Sequence, residues 1–190
     1  MKVVAFNGSP RKEGNTFLSI ETVFQEIEKE GIETELVQLG SSNIKGCRAC
    51  FKCFENKDLR CVQKDDLNGF IEKMRGADGI IIGSPTYFSN VSTEVKALID
   101  RAGLVARAND HLLSRKVGAA VVVARRAGAT HVYSSINFFF GISNMIIPGS
   151  SYWNLGYGRN PGEVMKDEEG MATFTELGRN MAWLLKKIHS

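Results

Sequence analysis

No stretch of this chain is apolar for long enough to cross a bilayer. The longest run, "VGAAVVVA" at 117 to 124, is far shorter than the ~20 residues a membrane helix needs. The amino terminus offers one lysine and a short apolar run broken by Asn7 and Gly8, too little for a secretory signal core. Cysteine is absent outside positions 47 to 61, so the chain has no disulfide framework spread along it, and a reducing cytoplasm is expected. Neither sign of charge dominates. The 24 Lys+Arg and 21 Asp+Glu leave a net charge of +3, and the basic residues lie among acids rather than in a stripe, which excludes nucleic acid as an expected partner. Histidine is scarce. His111, His131 and His189 are scattered, with no serine or carboxylate set to complete a triad, and a hydrolase reading finds no support. There is no internal repeat, linker or low-complexity tract, so the 190 residues are expected to form one domain, 1–190, burying about 70% of the surface of the unfolded chain.

What is present is an alternation. Runs rich in Val and Ile recur near 2–6, 35–39, 79–83, 117–124 and 145–147, nearly continuous in the manner of parallel strands buried on both faces. Helical patterns lie between them. Phe17, Ile20, Val23, Phe24 and Ile27 form one stripe that Gly31 should stop. Val91, Val95, Leu98, Ile99 and Ala102 form another, with Gly103 as its expected end. Further helices are expected at 64–75, 130–144 and 171–188. Strand and helix alternating in this way predict an α/β fold, a doubly wound five-stranded parallel sheet with helices on both faces. In the order 2-1-3-4-5 the winding reverses between the first and third strands, where ligands bind at the carboxyl ends.

Two turns fall at that reversal. "GSPRKEGNT" follows the first strand and precedes a helix, a combination that gathers free backbone N–H groups in front of a positive dipole end and so suits an anion. Five residues separate Gly8 from Gly14, and Asn15 stands where a P-loop needs lysine. The fingerprint GxGxxG is also missing, so a Rossmann-type dinucleotide site is unsupported. Ser9, Asn15 and Thr16 as neutral donors, with Arg11 and Lys12 as charges, suit one terminal monophosphate. An ordinary turn with Asn15 or Thr16 capping the helix is the alternative. The second turn, "GSPTYFSN", breaks at Pro85 and puts Tyr87 and Phe88 at the carboxyl edge, either as walls for a planar heteroaromatic ligand or as packing over the sheet end. Arg125 and Arg126 follow the fourth strand, as ligand contacts or as solvated charge.

The pair "NGSPRKEGNT" and "GSPTYFSNVS", one βα unit apart, resembles the NADPH-dependent FMN reductase-like family of the flavodoxin-like fold over nearly the whole chain. The resemblance implies non-covalent FMN. It implies that Ser9, Arg11, Gly14, Asn15 and Thr16 hold the ribityl phosphate and that Pro85, Thr86, Tyr87 and Phe88 line the isoalloxazine; as a ligand contact, Arg125 would face the flavin's N1 and O2 edge. It also implies a homodimer or homotetramer. Within that family, "CRACFKCFENKDLRC", an insertion at about 46–62, is similar to the cysteine motif of the iron-sulfur flavoproteins. Cys47, Cys50 and Cys53 at x2 spacing can wrap three corners of a cubane and Cys61 can supply the fourth, so a [4Fe-4S] cluster is expected, with zinc or free thiols as alternatives. Arg48, Lys52, Lys57, Arg60 and Lys64 around it would favour a reduced cluster or dock an acidic carrier, or are simply solvated. The expected activity is FMN-dependent electron transfer from NAD(P)H or a ferredoxin-like donor to a quinone, carrier or small oxidant. An electron carrier without turnover of its own and a thiol or zinc regulatory module remain as rivals. The loop 149–163, with Tyr152 and Trp153, is a cover either for a flavin or for the core.

Overall fold

The computed structural model describes residues 1–190. Five parallel strands, β1 (Lys2–Asn7), β2 (Glu33–Gln38), β3 (Gly79–Pro85), β4 (Val117–Ala124) and β5 (Leu155–Tyr157), form one sheet in the order β2-β1-β3-β4-β5. This is the flavodoxin-like order expected from the alternation of runs. The helices are α1 (Asn15–Lys29), α2 (Lys52–Asn56), α3 (Leu67–Gly76), α4 (Thr93–Ala108), α5 (Ala129–Ile142) and α6 (Glu168–Ile188).

Side-chain alternation along each strand divides the core into two layers. Val4, Phe6, Ile80, Ile82, Ala120 and Val122 pack with α3, α4 and α5. Val3, Ala5, Ile81, Ala119 and Val121 pack with α1 and α6 on the other face. Both sets are buried, which is why the strands read as unbroken apolar runs rather than as alternating ones.

Three elements differ from the sequence expectation. The fifth strand is Leu155–Tyr157, not 145–147. Ile146 makes only an isolated parallel bridge with Val117, while the true strand is three residues with a central glycine, too short and too poor in β-formers to show as a run. Helix α4 runs through Gly103 to Ala108. Gly103 faces the Phe139 ring of α5, where a Cβ would make ordinary contact at 3.4 Å, so it sits within the helix without ending it. Helix α2 lies inside the cysteine segment, where no periodic pattern announced it.

Helices α1 and α6 meet at Gly178, where a Cβ would fall 2.6 Å from the Val23 carbonyl oxygen and 2.8 Å from Glu26 Cβ. Alanine there would gain about 1 kcal/mol of helix propensity and lose ~1–3 kcal/mol to overpacking. The overpacking wins because a backbone carbonyl cannot rotate away. Gly178→Ala is therefore expected to lower the urea midpoint, and an unchanged or raised midpoint would show that the two helices can slide apart at no cost.

Candidate functional site: a cationic cleft and a cysteine loop

The turn after β1 is shaped by a buried amide. Asn7 is fully buried, and its Oδ1 accepts from the Ser9 N–H at 3.1 Å. Its Nδ2 donates to the Lys12 carbonyl at 3.3 Å and to Gln38 Oε1 at 2.9 Å. Gln38 Nε2 in turn donates to the carbonyls of Ser9, at 2.6 Å, and Gly40, at 3.0 Å. Gly40 has no room for a side chain, because a Cβ would sit 2.1 Å from the Ser9 oxygen. The sequence reading passed over Asn7, Gln38 and Gly40. Asn-Gly after a strand is a turn signal, but nothing in it marks the amide as an interior brace.

Behind this turn, α1 begins at Asn15 with Gly14 as its N-cap and no side chain capping it. The first-turn N–H groups are thus left for another acceptor. Neither Asn15 nor Thr16 serves as the cap. Asn15 Nδ2 donates to the Asn160 carbonyl at 2.9 Å and its Oδ1 accepts from the Val164 N–H at 3.4 Å, so its side chain fastens the loop after β5 to the start of α1.

A cleft of about 170 Å³ opens at the carboxyl ends of β1, β3, β4 and β5. Ser9, Arg11, Asn15 and Thr16 come together there with Pro85, Thr86, Tyr87 and Arg125. Gly158 and Arg159, which the sequence reading did not single out, complete it, and Arg11 Nη1 donates to the Arg159 carbonyl at 3.3 Å. Three arginines line the cleft and no carboxylate does. Thr86 Oγ1 is buried there without a partner. Phe88 is not brought in. It stands fully exposed at the tip of a tight hairpin whose central residues, Phe88 and Ser89, both take positive φ between the paired Tyr87 and Asn90. Gly14 is buried behind the loop, and Arg126, Tyr152 and Trp153 are exposed outside the cleft.

The cysteine segment follows β2 and shares a groove of about 920 Å³ with the anion loop, since Lys12 lines it together with Arg60 and Lys64. All four cysteines are free thiols; Cys47 and Cys50 are exposed, and Cys53 and Cys61 are half-buried against the core. Burial pushes the Cys53 thiol up. Ala49, Phe51, Lys57 and Leu59 adopt left-handed backbone, so the segment winds tightly. Asn68 clamps Cys61 by accepting from its N–H at 2.8 Å and donating to its carbonyl at 2.9 Å. No three His, Cys, Asp or Glu side chains converge as they would around a single ion. A cubane gathers its thiolates more widely, one to each iron, and four free thiols in one winding loop are the donor types it uses.

Asn7→Ala removes three hydrogen bonds and leaves the Ser9 N–H unsatisfied in the interior, so it should cost ~2–3 kcal/mol in chemical denaturation and speed amide exchange across residues 8–14. Unaltered exchange in that loop would contradict the bracing role. Glu163 accepts from the Asn160 and Arg159 N–H groups and the Asn160 side chain, which lowers its pKa from 4.5 to about 2. A depressed carboxylate contributes fully above its unfolded value and is lost on acidification. The tether behind Arg159 should therefore hold above pH 4.5 and release as pH falls through about 2. A Glu163 carboxyl resonance titrating near 4.5 would refute this.

The family model for NADPH-dependent FMN reductase matches residues 1–160. An iron-sulfur flavoprotein of Methanocaldococcus jannaschii is 38% identical over 195 residues, covering 99% of each chain. One from Methanosarcina thermophila is 36% identical over 190 residues, covering 99% of this chain and 97% of its own. Among solved structures, RosB with bound 8-demethyl-8-formylriboflavin-5'-phosphate superposes with a TM-score of 0.75 at 19% identity, over 100% of this chain and 80% of that one. The NAD(P)H:quinone oxidoreductase of Methanothermobacter marburgensis gives 0.69 at 14% identity, over 95% and 96%. The last two establish fold alone. With most of its length matched by the family model and relatives above one-third identity end to end, the chain belongs to the NADPH-dependent FMN reductase family, flavin oxidoreductases on the flavodoxin-like fold.

Proposed function

We propose that this chain is a cytoplasmic FMN oxidoreductase that passes electrons from NAD(P)H or a reduced ferredoxin-like carrier to a quinone, a carrier or a small oxidant. The observation that carries this is the cleft with three arginines, no carboxylate and an uncapped helix start. Such a wall favours a dianionic phosphate through charge and free N–H groups together. Ser9, Arg11, Asn15 and Thr16 take the phosphate end. Thr86 Oγ1, buried and unpartnered, supplies a hydrogen bond to the ligand's polar edge. The enclosed volume is below the ~300–1,000 Å³ of sites that swallow a whole ligand, so Pro85 and Tyr87 at the open mouth are the residues that would hold the ring system. Arg125, on the cleft wall, would supply positive charge toward a reduced, more negative flavin. Phe88, at its hairpin tip, contributes to the ring site only across a subunit boundary in the homodimer or homotetramer.

FMN supplies the two-electron and one-electron chemistry, and the protein orients it and sets its potential. Cys47, Cys50, Cys53 and Cys61 hold a [4Fe-4S] cluster in this reading, within the same single 1–190 domain. The names of the relatives and the groove shared by Lys12 and Arg60 support it.

The absorbance spectrum of anaerobically purified protein tests the assignment. Flavin bands with a broad iron-sulfur shoulder are expected, and Arg11→Ala with Thr86→Ala should weaken FMN binding by about a hundredfold through the loss of a charged and a neutral contact. A colourless protein that stays unbound in excess FMN would overturn the proposal. Rapid NADPH oxidation with a quinone favours the reductase; reduction by a ferredoxin-like donor alone makes the protein an electron carrier.

A further inference from the structure

Arg101 is among the largest side chains wholly withdrawn from solvent, 0% exposed in the middle of α4, beneath the cysteine segment. Its Nη1 donates to Asp65 Oδ2 at 2.6 Å and to the Lys45 carbonyl at 2.8 Å. Its Nη2 donates to Asp65 Oδ1 at 3.0 Å and to Cys61 Sγ at 3.2 Å. The Nε–H has no partner. Burial, the largest single effect, would raise the Asp65 carboxyl, but the guanidinium together with the Lys45 and Leu67 N–H groups outweighs it and holds the carboxylate below its usual range.

A buried ion pair is a poor way to stabilise a fold, because desolvating both charges costs several kcal/mol and apolar residues of like volume often do as well. Two features of this pair are not explained by packing. One guanidinium nitrogen is turned to a sulfur rather than to an oxygen, and the same group fixes residues 45 and 65 on either side of the four cysteines. A fixed charge-assisted N–H donor at a ligating sulfur holds that ligand in place and favours the more negative redox state of what it binds, and because Asp65 balances the guanidinium's charge the hydrogen bond carries the effect.

We propose that Arg101 is a positioning residue for the iron-sulfur centre: through its hydrogen bond to Cys61 Sγ it anchors the fourth ligand and raises the centre's reduction potential. This rests on the reading that the four cysteines hold a [4Fe-4S] cluster. The step it governs is arrival of one electron, from the flavin or from a ferredoxin-like reductant. That electron adds one negative charge beside the guanidinium, with no bond made or broken and no proton moved.

The test uses the full chain, purified anaerobically, as wild type, Arg101→Lys, and Arg101→Met combined with Asp65→Leu, which removes the buried pair without leaving an orphan charge. FMN content reports folding, iron and sulfide content reports the cluster, and an electrochemical titration read by electron paramagnetic resonance gives the potential. The double variant should keep FMN and show the reduction equilibrium displaced about tenfold toward the oxidised form, a fall of ~59 mV for one electron. Arg101→Lys should fall between it and wild type. Equal potentials in loaded variants would overturn the proposal and leave Arg101 a packing residue. If the double variant loses FMN, the lysine variant decides by the same comparison. A wild type that takes up FMN but no iron under reconstitution overturns the cluster reading and this proposal together, and the iron assay marks which has failed.

Discussion

The parallel pairing of β1 with β3 is carried one residue past the strand by the Gly8 N–H, which donates to the Gly83 carbonyl at 2.8 Å. No side chain fits at that point, because a Cβ on Gly8 would lie 2.8 Å from the same oxygen and 2.3 Å from Val95 Cγ2. The two turns at the switch point diverge from this close contact. One chain turns into the anion loop and α1, and the other into the Pro85–Asn90 hairpin and α4. The cleft opens where these two turns meet Arg125 after β4 and Gly158 and Arg159 after β5.

The sheet sets where the site is, and polar groups buried beneath it set its shape. Asn7 and Gln38 extend from adjacent strands and turn the loop inward by satisfying carbonyls and an N–H that would otherwise face apolar surroundings. Asn15 does the same for the loop after β5. Each is an uncharged amide, so the cleft keeps the positive field of its three arginines.

The fold was largely legible because parallel strands buried on both faces leave unmistakable apolar runs. The strand that was misplaced, Leu155–Tyr157, is a three-residue edge strand that pairs only with β4, and its centre must be glycine because a Cβ on Gly156 would lie 2.8 Å from Val164 Cγ2. Most of the cleft was legible too, from two turns at a switch point. What escaped was whatever depends on tertiary contact: Gly158 and Arg159 reach the cleft only because β5 lies beside β4, and Arg101 reads as one more basic residue on an amphipathic helix. Asn15 lines the cleft, and its side chain ties down the loop after β5 instead of capping α1, because a cap and a tether use the same amide. Phe88 fell outside because left-handed backbone at two successive positions turns it away from its own cleft.

Lys45 and Asp65 hang on the same buried guanidinium, and Gln63 Nε2 reaches back to the Gly46 carbonyl at 3.1 Å. The stretch between them is therefore a lasso drawn shut at its neck, with its slack facing solvent. The entropy of closing such a lasso grows only with the logarithm of its length, about 0.6 kcal/mol for each doubling. A longer stretch between Cys53 and Cys61 would thus add little to the entropy of closing the neck, provided the knot itself is kept.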